Sequence, residues 1–120
     1  MKIVISASGS DLAAQVDPRF GRAPFFLVID TDTMDFDVVP NQPNLQAAQG
    51  AGVQSAALVA RHSPAAVLTG NCGPKAFQTL QAAGIKVIVG VAGSIKEAVQ
   101  NYLAGKVNPA PGPNVASHWR

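Results

Sequence analysis

The hydrophobic pattern changes its period along the chain. Lys2–Ala7 is a short β-branched run of the kind that forms a buried strand. Residues 8–23 are polar and contain glycine, so they predict a long loop. Phe25–Asp30 and Phe36–Val39 predict two further strands, joined through Thr31-Asp32-Thr33 as a hairpin. Beyond Pro40 and Pro43, an alanine-rich stretch from about Gln46 to Arg61 predicts a helix that tolerates Gly50 and Gly52. The remainder alternates. Ala65–Thr69 and Ile85–Val89 predict strands. Pro74–Ala83 predicts a helix with Ala76, Phe77, Leu80 and Ala83 on one face, stopped by Gly84. Ser94–Leu103 predicts a helix opened by a Ser94/Glu97 capping box, with Ile95, Ala98, Val99, Tyr102 and Leu103 as its apolar stripe.

Three strands followed by helix–strand–helix–strand–helix imply an α/β domain with a mixed sheet. The first, fourth and fifth strands should run parallel, because helical crossovers join the later ones. Their C-terminal ends then share one edge, where open α/β sheets bind ligands. That edge would carry three turns of small residues: 7–10, 70–73 and 90–93. The helix starts near Pro74 and Ile95 would aim at it.

Composition narrows the picture. The chain has 120 residues, 48% of them hydrophobic and 13% charged, enough for one domain with one core. The N-terminal apolar run is too short for a secretory signal, and no apolar run approaches the roughly 18 residues that cross a bilayer. A cytoplasmic protein with no membrane span is expected. The single cysteine excludes an internal disulfide and any zinc site built from several cysteines. The net charge of +2 is uneven: residues 1–37 carry three cations against six aspartates (−3), and residues 38–120 carry six cations against Glu97 (+5). The lysines form no basic stripe and only seven aromatics are available to stack on bases, so a nucleic-acid partner is not expected. The proline-rich segment after residue 105 cannot be regular structure, and 106–120 is expected to be a flexible tail.

Candidate chemistry concentrates in two places. In Gly70-Asn71-Cys72-Gly73-Pro74, glycines permit close approach of a ligand, proline suits the first helical position, and the helix start favours an anion. A thiol there should ionise easily, although a lone cysteine is as often a small buried hydrophobe. In Arg19-Phe20-Gly21-Arg22, two guanidinium groups flank a Phe-Gly pair and suit an anion. The competing reading has Phe20 in the core and Asp17 paired with an arginine. Asp30–Asp35 superficially resembles a calcium loop but lacks its glycine and its glutamate, and a solvated hairpin is the better expectation. His62 and His118 have no partner at ligand spacing. Nucleophile-elbow, Walker and dinucleotide patterns are absent, and binding is expected rather than turnover.

The segments 16–26, 70–77 and 80–87, with the initial strand, resemble the dinitrogenase iron-molybdenum cofactor biosynthesis family in its small single-domain form. The resemblance covers roughly residues 1–105. It implies a ribonuclease-H-like fold with a five-stranded mixed sheet, and carriage of an anionic molybdenum-containing metal–sulfur cluster, of molybdenum–copper sulfide or iron–molybdenum type, held non-covalently and without turnover. It further implies partner ATPases or cell-division proteins. Carried over residue by residue, it assigns cluster binding to Arg19, Phe20, Gly21 and Arg22, and to Gly70, Asn71, Cys72 and Gly73. Several members have histidine where this chain has Arg19. Arginine does not coordinate metal, which leaves charge and hydrogen bonds to hold the cluster and Cys72 as the one thiolate candidate. The alternative is a cofactor-free regulatory or protein-interaction module that works through the tail.

Overall fold

A computed structural model describes residues 1–41 and 50–114. Five strands, β1 (Lys2–Ala7), β2 (Phe25–Asp30), β3 (Phe36–Pro40), β4 (Ala66–Leu68) and β5 (Lys86–Ile88), form one sheet in the order β3-β2-β1-β4-β5. β1 pairs antiparallel with β2 and parallel with β4. β2–β3 is antiparallel and β4–β5 parallel. Three helices are described: α1 (Ala51–Ala60), α2 (Pro74–Ala82) and α3 (Ile95–Leu103). The start of the helix expected from Gln46, and His118 in the tail, lie outside the described residues.

Apart from the largely exposed edge strand β3, the sheet is buried on both faces because its side chains alternate between two cores. On one face, Val4, Phe26, Val28, Val67 and Val87 pack with α1 and α2; on the other, Ile3, Ile5, Leu27, Ile29 and Leu68 pack with α3. α2 buries Ala76, Phe77 and Leu80, and α3 buries Ile95, Ala98 and Val99. Leu103, expected on the α3 stripe, is 54% exposed because the helix ends there. The capping box forms: the Ser94 hydroxyl accepts from Glu97 N–H at 3.1 Å, and Glu97 Oε1 accepts from Ser94 N–H at 3.2 Å. The 30–35 segment is the expected hairpin, and its Asp32 accepts from the N-terminal ammonium at 3.1 Å.

Residues 8–23 do not form a simple loop. Within them a 3-10 turn, Phe20–Arg22, inserts between the sheet edge and the helices. Two glycines let it in. A Cβ on Gly70 would lie 2.7 Å from Pro18 Cα and 2.9 Å from Pro18 O. A Cβ on Gly21 would lie 3.0 Å from both Cα and N of Gly52 at the start of α1. These are backbone-on-backbone contacts, which no side-chain rotation relieves. Gly70→Ala should therefore destabilise the protein by about 1–3 kcal/mol. Gly112→Ala, where the added methyl meets nothing within 4 Å, should stay within about 0.5 kcal/mol. Urea denaturation midpoints of the two variants check this.

Candidate binding rim

The parallel strands bring the three turns to one edge, and backbone hydrogen bonds tie them together. Gly90 N–H donates to Gly70 O at 2.8 Å and Val91 N–H to Thr69 O at 3.1 Å. Val16 N–H donates to Gly93 O at 2.9 Å, and Asp17 N–H to Ser6 O at 2.8 Å. Beneath the rim, the Ser6 hydroxyl lies 2.7 Å from Thr69 Oγ1 and 2.8 Å from Asp17 O. This buried polar contact joins the ends of β1 and β4 to the Arg-Phe-Gly-Arg loop.

That loop lies directly beside the glycine turn. Arg19 and Asn71 form an isolated parallel bridge. Phe20 N–H donates to Asn71 O at 3.2 Å, and the Asn71 side-chain amide donates to Pro18 O at 3.0 Å. Asp17 is buried and organises the segment: one oxygen accepts Arg19 N–H at 2.9 Å and stands 3.9 Å from its Nε, and the other accepts the Ser8 hydroxyl at 3.2 Å. The Arg19 side chain is 52% exposed above it. Arg22 closes the turn, its N–H reaching Arg19 O at 3.3 Å, and is half-buried.

The two sequence-predicted clusters thus meet, but not every residue in them faces out. Phe20 is a core residue with its ring 5.1 Å from that of Phe26. Gly21 and Gly70 are buried where backbones touch. Cys72 is 1% exposed and packs in the same core as Phe20 and Phe77. Its thiol faces Gly73 O at 3.7 Å. The easily ionised thiol expected at this turn is not what the fold makes: burial pushes Cys72 up to about 12, because the low-dielectric core opposes a thiolate. Arg19, Asn71 and Gly73 form the accessible rim, with the backbone N–H of Cys72 beneath it. Among the described residues, no three His, Cys, Asp or Glu side chains group closely enough to hold a metal ion.

The two helix starts on this edge differ. At α3 the free donors are consumed internally: Ile95 N–H reaches Ala14 O at 2.8 Å, Lys96 N–H reaches Leu12 O at 3.0 Å, and the capping box closes the rest. The expectation that α3 aims at a ligand is corrected by these bonds, because residues 11–15 fold back over it. At α2 the N-cap is Gly73, which has no side chain to cap with, and the first turn contains no acid but does contain Lys75. A helix start with that charge pattern favours an anion.

The structural arrangement has close counterparts. A family model described as dinitrogenase iron-molybdenum cofactor matches residues 1–105. The chain belongs to this family. It is similar to the apo form of the orange protein from Desulfovibrio gigas, with 45% identity over 95% of this chain and 96% of that one and a TM-score of 0.92. It is also similar to a proposed NifB protein from Thermotoga, with 30% identity over 90% and 91% of the two chains and a TM-score of 0.77. An uncharacterised protein of Methanocaldococcus jannaschii is 28% identical over 110 residues, 89% of each chain. In the family's terms, the match covers the whole sheet and both halves of the rim. No helix among the described residues is long and apolar enough to cross a membrane.

Sequence reasoning missed one residue of the rim, Asn114. Its side-chain oxygen accepts Cys72 N–H at 2.8 Å, and its amide nitrogen donates to Asn71 Oδ1 at 3.0 Å and Gly70 O at 3.3 Å. Residues 107–114 lack regular structure, as expected, and two of their backbone N–H groups bond to the domain: Ala110 N–H donates to Val87 O at 2.7 Å, and Asn114 N–H to Cys72 O at 3.2 Å. No periodicity marks such a contact in a proline-rich stretch.

Cys72 supplies a direct check on the geometry. Ellman's reagent should leave the native protein unmodified and titrate one thiol on unfolding. A thiol whose folded pKa is raised ionises first in the unfolded chain. Its contribution to stability is fully present below about pH 9 and is lost as pH climbs toward 12. Wild-type stability should therefore fall more steeply than that of Cys72→Ala across this window in urea titrations.

Proposed function

We propose that this chain is a carrier, not a catalyst, and that its cargo is an anionic molybdenum-containing metal–sulfur cluster, of molybdenum–copper sulfide or iron–molybdenum type. The family membership supports the class of cargo. The observation that carries the reading is the asymmetry of the two helix starts: α3 is closed by the protein's own carbonyls, whereas α2, among the described residues, has no capping side chain and no acid in its first turn, and lies beside an exposed arginine. An anion completes that start. Partial charges at a helix start and a guanidinium each favour it by roughly 0.3–1 kcal/mol at an exposed site, so several such contacts must act together.

The residue roles follow from exposure. Arg19 offers charge and hydrogen bonds above the turn. Gly73 offers a backbone N–H group, and Cys72 offers one in exchange for its bond to Asn114 Oδ1. Asn71 offers a side-chain amide. Phe20, Gly21 and Gly70 hold the two segments together from below, and Arg22 closes the turn beside them. The sulfur of Cys72 takes no part, so the cargo is held without a protein thiolate, by charge and hydrogen bonds. The β3-β2-β1-β4-β5 order, with α1 and α2 on one face and α3 on the other, fits the ribonuclease-H-like description. Nuclease chemistry does not come with it, because that needs carboxylates converging on metal ions, and Asp17 is already engaged with the Arg19 and Ser8 donors.

Mixing the protein with tetrathiomolybdate and copper(I) should give a coloured complex that survives desalting. Cys72→Ser should retain the colour, and Arg19→Gln should weaken retention about threefold to tenfold, most clearly at low salt. A colourless eluate from the wild type contradicts the reading. Colour lost with Cys72→Ser, in a variant that still folds, contradicts the thiolate-free mode of binding.

A further inference from the structure

We infer that residues 107–114 form a strap whose Asn114 amide competes with the cargo for the glycine turn, so that the protein carries its own reversible cover. This rests on the cargo reading above and adds a control to the same site. Asn114 satisfies the turn with one side chain and one backbone group: an acceptor for Cys72 N–H, donors for Gly70 O and Asn71 Oδ1, and a main-chain N–H for Cys72 O. A neutral carboxamide oxygen thus stands at the N–H group that precedes the open start of α2, where an anion's acceptor atom would bind. Cargo and Asn114 cannot both take the Cys72 N–H.

The strap is built to leave without unfolding the domain. It begins outside β5, the edge strand, where Ala110 N–H caps Val87 O. Val107 and Ala110 make partial contacts with the two cores, and Pro109 and Ala110 border a hollow of about 270 Å³ against the end of α2 rather than filling it. From Val107 to Asn114 it carries no charge, so no ion pair holds it down. Pro109, Pro111 and Pro113 fix alternate φ angles, so little chain freedom is lost on docking or regained on release. A segment held by a few part-buried or exposed hydrogen bonds and little buried apolar area opens at low free energy.

Occupation of the competent state sets apparent affinity, so removing the latch should tighten binding. For Asn114→Ala, the Kd for tetrathiomolybdate, measured by absorbance titration, should fall about threefold to tenfold. In the same variant the Cys72 amide should exchange with deuterium faster than in the wild type. In the wild type, saturating tetrathiomolybdate should speed exchange of the Asn114 amides while β1 and β4 amides keep their protection; this arm needs no variant to fold. Faster Cys72 exchange in Asn114→Ala with an unchanged Kd overturns the competition and leaves the carrier reading intact. Weaker binding by Asn114→Ala makes the strap a part of the cargo site and also overturns it. Protection of Asn114 retained in the saturated wild type does the same. No binding by either protein overturns the carrier reading and the strap with it.

Discussion

Everything at the rim depends on two places where main chain touches main chain. Pro18 rests on Gly70, and Gly21 rests on Gly52, at distances that leave no room for a methyl group. These contacts press the Phe20–Arg22 turn between the sheet edge and the first helix and set Arg19 alongside Asn71. Phe20 then anchors the turn from within by packing on Phe26. The loop is thus positioned by close packing, and its Arg19 side chain is left half-exposed. A binding segment seated on a rigid support in this way loses little freedom when it engages a ligand.

The electrostatics of the rim follow from what the fold has already spent. Asp17 lies beneath the loop and shapes it through Arg19 N–H, at the cost of placing a carboxylate 3.9 Å from the Arg19 guanidinium. That pair tempers the positive field without removing it, since the arginine stays half in water and the aspartate is buried. The donors at α3 are consumed by residues 11–15. At α2 no side chain among the described residues caps the start, and the neutral Asn114 amide takes the Cys72 N–H just before it. In the proposed reading, an anion is favoured by the uncapped start of α2 among the described residues and by the exposed Arg19 guanidinium, with no help from the Cys72 thiol, which burial keeps protonated.

Much of this was legible in the sequence. Short apolar runs located all five strands, and the Ser94/Glu97 spacing located the best-capped helix. The parallel strands β1, β4 and β5 followed from their helical crossovers and put the three turns on one edge. The Arg-Phe-Gly-Arg loop follows β1, which let it reach the ligand edge, and the resemblance assigned it and the glycine turn one role; the structure supplies the cause of their meeting in Gly70 and Gly21. Three features were not legible. Cys72 sits one residue before the N-cap, a position where the side chain can turn into the core or out to water, and spacing does not distinguish the two. The closure of α3 by Leu12 and Ala14 carbonyls depends on how a polar loop folds back. The docking of Asn114 joins residues over 40 positions apart through hydrogen bonds that leave no hydrophobic pattern.

The central claim is that an anion binds at the start of α2 beside Arg19, through backbone and guanidinium donors. An amide-resolved NMR titration with tetrathiomolybdate and copper(I) tests it most directly. The resonances moved most should belong to residues 71–76 and 19–22, with the hairpin at 30–37 and the start of α3 unmoved. Shifts centred on the hairpin or on residues 94–97, or spread evenly over the chain, would contradict it.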